Sequence, residues 1–353
     1  MKVRARGEDV RRYIIENVEK YPASIARAAA EKFGITRQAV SKHLRRLTEE
    51  KTLIETGNTR ARSYKLAPLV EWRGTYDLGG SPATAEDVIW TNDVRPALGQ
   101  LPDNVSNIWH HGFTEMFNNA LDHSEGTRVR VYHRKNAAET EMQISDSGVG
   151  IFRKIQNALQ LLDERHAVLE LAKGKFTTDP KRHPGEGIFF TSRMFDGFSI
   201  VSGGVVFSHE FGKKEDWIQE PSTSHDGTHV FMRLHNHTSR TTSKVFDQFS
   251  SDDDYTFNKT VVPVNLAKYG DDNLISRSQA KRLLARIELF KIVLLDFKEV
   301  PSVGQAFTDE IFRVFANEHP NITLTPIHAN SEVKRMIERV RAGGSAQEAK
   351  AIS

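Results

Sequence analysis

Two glycine pairs, Gly148/Gly150 and Gly185/Gly187, punctuate the middle of the chain and bracket residues 151 to 184. The first pair closes the run Glu141-Met142-Gln143-Ile144-Ser145-Asp146, which has the character of a strand. That ending leaves a carboxylate, Asp146, beside backbone that a ligand can approach closely. The second pair precedes a helix expected at about 189–195, and glycine-rich backbone opening a helix makes a ready phosphate cradle.

The flanking segments extend the pattern. Residues 105 to 124 read as one helix on which Glu115 and Asn119, four apart, share a face. Phe113, Met116, Phe117 and Ala120 pack behind them. An amide oxygen such as that of Asn119 can ligate Mg²⁺, and a carboxylate such as Glu115 can orient or deprotonate a water. A strand is expected over 127–132, and Gly227-Thr228 enters another that runs to Leu234.

Glu115…Asn119-Ala120, Asp146-x-Gly148-x-Gly150, Gly185-x-Gly187 and Gly227-Thr228 occur in the order and approximate spacing of the GHKL (Bergerat-fold) ATPases. Gyrase B, the heat-shock-90 chaperones, sensor histidine kinases, anti-sigma serine kinases and the MutL repair proteins belong to that superfamily. The run Asn119 to Ser124 looks closest to its bacterial kinase branches. The resemblance covers roughly residues 100 to 236 and implies ATP and Mg²⁺ as ligands. By that resemblance Asp146 would accept the adenine amine, with Gly148 and Gly150 letting the base sit against backbone. Asn119 would ligate Mg²⁺, Gly185 and Gly187 would hold the phosphates, Thr228 would support the adenine end, and Glu115 would act as general base. Residues 151 to 184 would form a mobile lid, on which Lys173 and Lys175 are expected as solvated charges, the alternative being that one of them reaches a phosphate. His166 lies in that lid and lacks the helical-hairpin context of a sensor-kinase phosphoacceptor. His110-His111 and His235-Asn236-His237 have no partner at a strong metal-ligand spacing.

Residues 1 to 66 hold 16 Lys or Arg against 8 Asp or Glu, so this segment carries +8 and the remainder of the +3 chain carries −5. A basic module on a mildly acidic body suggests that the first part meets a polyanion. Helices are expected at 8–20, 24–32 and 37–48, the last capped by Thr36 after a Gly34-Ile35 turn. Arg37, Gln38, Ser41, Lys42 and Arg45 lie mostly opposite the apolar Val40, Leu44 and Leu47, as on the recognition helix of a helix-turn-helix. A hairpin over 53–66 carries Arg60 and Arg62 at its tip and looks like a wing. Residues 1–66 thus resemble bacterial winged-helix repressors and imply double-stranded DNA as partner. The alternative is a small three-helix domain whose basic face meets protein.

Residues 67–95 and 241–275 read as connectors flanking a central domain of 96–240, the first with room for one strand. From Ser276 a basic helix, an apolar strand at 291–297, a helix at 305–318, a strand at 322–326 and a helix at 331–340 alternate, predicting a small α/β unit over 276–341. Leu294-Leu295-Asp296-Phe297-Lys298-Glu299-Val300 followed by a helix resembles the core of STAS domains, which implies a protein partner. That family's phosphoacceptor serine would fall near Gln305, and Ser302 is out of place for it. Residues 342–353 read as a disordered tail. Absent cysteines rule out disulfides and thiolate zinc sites and fit a reducing, cytoplasmic setting. No stretch approaches the roughly 18 to 20 apolar residues of a membrane span.

The whole predicts an α/β multidomain protein: a winged helix, a Bergerat-type α/β sandwich and a STAS-like unit. Function is expected to be that of a nucleotide-dependent, DNA-binding regulator, dimeric because winged-helix proteins often read two half-sites. An anti-sigma-type serine/threonine kinase and a hydrolysing defence or repair ATPase are the alternatives.

Overall fold

A computed structural model describes residues 2–58, 61–79, 84–176, 185–212, 216–219, 223, 225–250, 256–268 and 273–351. The N-terminal module has three helices, α1 (Lys2–Asn17), α2 (Ile25–Phe33) and α3 (Arg37–Glu49), then a hairpin of β1 (Leu53–Thr56) and β2 (Ser63–Leu66). α2 stops because Gly34 turns left-handed (φ 60°) and its N–H bonds the Ala30 carbonyl. α3 starts where the Thr36 hydroxyl accepts the Ala39 N–H at 3.2 Å. Val10, Ile14, Val18, Ile25, Val40, Leu44, Leu47, Leu53 and Leu66 form a core of its own, against which Ala137 and Ala138 of the central domain pack.

The central domain is built on a seven-stranded sheet, antiparallel throughout, in the order β3-β4-β5-β9-β6-β7-β8. Its first strand is the one for which 67–95 had room, and it belongs to the central sheet. β3 (Val70–Asp77) pairs with the following strand β4 along its whole length, from Val70 opposite Lys135 to Asp77 opposite Arg128. Trp72, Gly74 and Tyr76 turn to the more buried side of β3, in strand alternation. The Tyr76 ring meets Phe117 edge-on and its hydroxyl donates to Asp93 at 2.7 Å. Two short helices, α4 (Glu86–Ile89) and α5 (Arg95–Leu98), flank a π-turn at Trp90–Val94 that buries Trp90 and Val94. The long helix α6 (Asp103–His123) follows, then β4 (Arg128–Lys135) and β5 (Glu139–Asp146).

Next come α7 (Ile151–Leu159), α8 (Glu164–Lys173), α9 (Gly187–Met194), β6 (Gly197–Gly203), β7 (Val205–Glu210), β8 (Asp216–Gln219), β9 (His225–His235) and α10 (Thr242–Asp247). Inward side chains of the sheet, among them Val129, Val131, Met142, Ile144, Ile200, Val230 and Met232, are buried under the helices, giving two layers. Within the expected lid, every residue of α8 from His166 to Lys173 is buried. The apolar run Ala167-Val168-Leu169 with Leu171 and Ala172 leaves that helix no face to give to water. Residues 177–184 of the expected lid lie outside the described residues.

The C-terminal unit is a three-stranded parallel sheet, β10-β11-β12. Its first strand, β10 (Lys259–Pro263), comes from the expected connector at 241–275, a correction. Thr260-Val261-Val262 is a short β-branched run that needs the neighbouring β11 (Ile292–Asp296) to pair with. α11 (Arg277–Leu284) begins in a capping box of Ser276 and Gln279. α12 (Gln305–Asp309), a π-turn and α13 (Ala316–Glu318) form one continuous stretch, followed by β12 (Thr323–Ile327) and α14 (Ser331–Ala351). α14 overruns the expected tail at 342–353, where Ala, Gln, Glu and Lys favour a helix although Gly343 and Gly344 do not. Central and C-terminal units share one apolar core, where Phe257 lies 4.6 Å from Phe189 and 5.2 Å from Phe290. Among the described residues, no helix is long and apolar enough to cross a membrane.

Candidate functional site

A cavity of about 330 Å³ opens between α6, the inner face of the sheet and the segments that follow the two glycine pairs. On α6, Trp109, Phe113, Met116 and Phe117 are buried in the core, and the spacing of His111, Glu115, Asn118, Asn119 and Asp122 turns them to the cavity. Six of the expected site residues, Glu115, Asn119, Asp146, Gly185, Gly187 and Thr228, line this one space. Gly148 and Gly150 form the turn behind Asp146.

Asp146 ends β5 beside a wall of Ile144, Ile151, Ile155, Ile200 and Val230. Its Oδ1 accepts the Gly148 N–H at 2.8 Å and the Thr228 N–H at 3.2 Å. Burial pushes this carboxyl above the ordinary aspartate range, and the two amide bonds oppose the rise. The Thr228 hydroxyl accepts the Ile151 N–H at 3.1 Å, tying the turn to β9. Gly148 admits no side chain, because a Cβ there would stand 1.9 Å from the Ser124 carbonyl oxygen.

The opposite end is polar. A Cβ on Gly187 would fall 1.9 Å from Oε2 of Glu115, so this carboxylate rests directly against the first residue of α9. The N-terminus of a helix favours such negative charge. Glu186, also in the lining, is pushed up by burial, with Lys175 opposing. His111 sits beside Phe246, and burial with neighbouring His110 lowers its pKa to about 4. Its Nε2 has no hydrogen-bond partner among the described residues.

Sequence reasoning missed Asn118, Asp122, His111, Lys154, Phe176 and Glu186 as lining residues. Asn118 and Asp122 carried a signal, lying on the α6 face already singled out. Lys154, on the first turn after Gly150, donates to the His123 carbonyl at 2.7 Å and to Glu125 at 2.9 Å. Among the described residues, the lining therefore sets the carboxylates Glu115, Asp122, Asp146 and Glu186 against one lysine. The two lid lysines are corrected: Lys173 is 1% exposed and ion-paired with Glu170, and Lys175 donates to the Leu289 carbonyl. Among the described residues no cluster of three His, Asp or Glu could hold a metal by itself.

On the N-terminal module Arg37, Gln38, Ser41, Lys42 and Arg45 are all exposed. Ser41 donates back to the Arg37 carbonyl at 2.9 Å, and Arg45 pairs with Glu49 at 3.0 Å. Arg62 pairs with Glu55 at 3.0 Å, while Arg60 lies outside the described residues. None of the described ones lines the cavity.

Residues 279–334 match the model of a STAS-like domain of unknown function (DUF4325). The C-terminal unit is thus STAS-like, and its core strand is β11. No curated protein matches the chain.

Proposed function

We propose that the central cavity binds ATP as its magnesium complex, and that the chain is a nucleotide-dependent, DNA-binding transcriptional regulator. One observation carries the reading. A desolvated carboxylate, Asp146, stands among aliphatic side chains in the same cavity as Asn119 and Glu115. An apolar slot with one strong acceptor suits a flat base bearing an exocyclic amine, and the volume lies at the small end of the usual ligand range. The polar end supports the metal. Among the described residues the lining sets Glu115, Asp122 and Glu186, besides Asp146 at the base end, against Lys154, so a cation accompanying the polyphosphate would relieve the repulsion. Mg²⁺ suits one protein oxygen plus phosphates and water, and Asn119 would supply that oxygen. When bound, the ion neutralises phosphate charge. Asp146 holds the base, Gly148 and Thr228 fix that carboxylate, and Glu115 faces the phosphate end as a candidate base for water.

Calorimetric titration with Mg-ATP, Mg-GTP and Mg-UTP tests the reading: ATP should bind best, and equal or absent binding of all three sinks it. γ-Labelled ATP then separates a switch, which leaves ATP intact, from a hydrolysing machine or a kinase of the anti-sigma type. Free phosphate marks the machine, and labelled protein marks the kinase.

The N-terminal module supports DNA recognition through charge and exposure. α3 would enter the major groove, with Arg37, Gln38, Ser41 and Lys42 on its leading turns. Arg60→Ala with Arg62→Ala should weaken all sequences alike and flatten the salt dependence by roughly one unit for each phosphate left without its arginine. Gln38→Ala should lower preference for one site and leave non-specific binding nearly intact. Gel shifts over a salt series, with the chain's own promoter as first probe, decide this. No binding by residues 1–66 at low salt would make the basic face a protein-contact surface. Two half-sites would go with a homodimer, and the STAS-like unit is the surface offered to a protein partner.

A further inference from the structure

Two lining residues of the cavity, Leu171 and Phe176, come from the end of α8 and the segment just after it. That segment is held from behind by the STAS-like unit. The Lys173 ammonium donates to Glu170 at 2.7 Å and to two carbonyls at the end of α11, Ala285 at 2.7 Å and Arg282 at 3.2 Å. The Lys173 carbonyl accepts the Thr260 hydroxyl of β10 at 2.6 Å. Arg286 closes the cluster: one guanidinium nitrogen donates to Glu170 at 3.2 Å, the other to the Lys175 carbonyl. Its guanidinium also lies 5.0 Å from the centre of the Phe176 ring. To reach these partners Arg286 adopts a left-handed backbone, φ 62°, which costs a non-glycine residue energy.

We infer that Arg286 is a positioning residue for the cavity: from the STAS-like unit it fixes the Leu171–Phe176 wall, so ligand affinity and docking of that unit depend on each other. Buried ion clusters are poor general stabilisers, because desolvation offsets most of their attraction. Their best-attested use is to fix one arrangement against others. Here the arrangement fixed is that of a wall with ligand on one side and a second unit on the other. Gly185, at the start of the phosphate segment, leans on the same wall, since a Cβ there would lie 2.4 Å from the Phe176 backbone. Energetic coupling is reciprocal, so occupancy of the cavity must tighten the α11–Arg286 segment by as much as that segment tightens binding. This inference rests on the nucleotide reading for its ligand.

Arg286→Gln and Arg286→Lys in the full chain test it, with Phe176→Leu as a variant that keeps apolar bulk and removes the ring under the cation. In the absence of nucleotide, amide exchange at 171–176 should quicken about tenfold in R286Q, less in R286K, and stay unchanged in α6 and β5. On titration, Mg-ATP should bind R286Q about tenfold more weakly at a temperature where the protein is folded, within the range usual for coupling. In the wild type Mg-ATP should slow exchange at 277–290. Unchanged exchange at 171–176 in R286Q overturns the positioning role, whatever the ligand. Quickened exchange with affinity within twofold of wild type overturns the coupling. Wild-type protein that binds no Mg-ATP sinks the nucleotide reading and the coupling with it, while the exchange arm still decides the wall.

Discussion

The two outer units of this chain are attached to the middle in opposite ways. The STAS-like unit shares an apolar core with the central domain, and Phe257, just ahead of β10, packs on both Phe189 and Phe290. Its β10 and α11 also hold Lys173 in a buried ionic seam. The N-terminal module closes a core of its own and meets the sheet at the Ala137-Ala138 turn. Two small side chains bury little area, and at about 25 cal/mol per Å² they contribute little to coupling. The C-terminal unit is therefore joined to the cavity wall by packing and charge, whereas the N-terminal module rests on a small apolar contact.

The hardest blow to that contrast is Phe189→Ala. This side chain is 1% exposed and packs on Phe190, Phe249 and Phe257. Its loss should cost about 3–5 kcal/mol. Calorimetry should show one transition, for the central and STAS-like units together, moving down while the N-terminal transition stays put. Independent shifts of those two units would break the comparison.

Asp146→Asn should weaken Mg-ATP by on the order of 1.5–3 kcal/mol, the worth of a charge-assisted hydrogen bond, and leave both transitions in place. An affinity within twofold of wild type by titration calorimetry removes Asp146 from the site.

Acid sharpens the contrast further. His111 and His133 are each held at about 4 against an ordinary 6.5, by burial first and then by His110 and Lys135 respectively. A depressed histidine favours the neutral folded form, so its contribution is present above 6.5 and is lost as pH falls from 6.5 toward 4. Each group adds a slope approaching about 1.4 kcal/mol per pH unit within that window. In the N-terminal module His43 is shifted the same way by burial, Arg11 and Arg46, but it is half-exposed. Thermal midpoints at stepped pH should fall faster for the shared core than for the N-terminal module. His133→Gln should reduce the difference, and parallel falls would contradict it.

The smallest effect is Thr36→Ala, which removes the cap of α3 at a cost of about 1 kcal/mol. It should appear in the N-terminal transition alone. A matching shift in the larger transition would mean that the module is more tightly joined than the Ala137-Ala138 contact allows.

Sequence by itself determined the pieces whose signals are local. Thr36 and Gly34 set α3, the 105–124 pattern set α6, and Asp146 with its glycines set a carboxylate in a tight turn. The spacing of Glu115 and Asn119 placed both on the cavity side of α6, because helical geometry ties i to i+4 whatever surrounds it. In the N-terminal module α2 and α3 were legible for the same reason, through the Gly34 turn and the Thr36 cap, whereas α1 runs over 2–17 in place of the expected 8–20. Tertiary structure decided what a chain-local pattern cannot carry. β10 needed a partner strand distant in sequence before it was more than a connector, and β3 needed β4 to place it in the central sheet. Lys173 reads as a solvated lid charge until the STAS-like unit supplies two carbonyls and a hydroxyl around it. Arg286 shows no motif at all, and its bearing on the cavity arises when Glu170, Lys175 and Phe176 converge on its side chain. Periodicity reports which face of an element is apolar. It does not report which unit covers that face, because the choice is made by pairings between residues far apart along the chain.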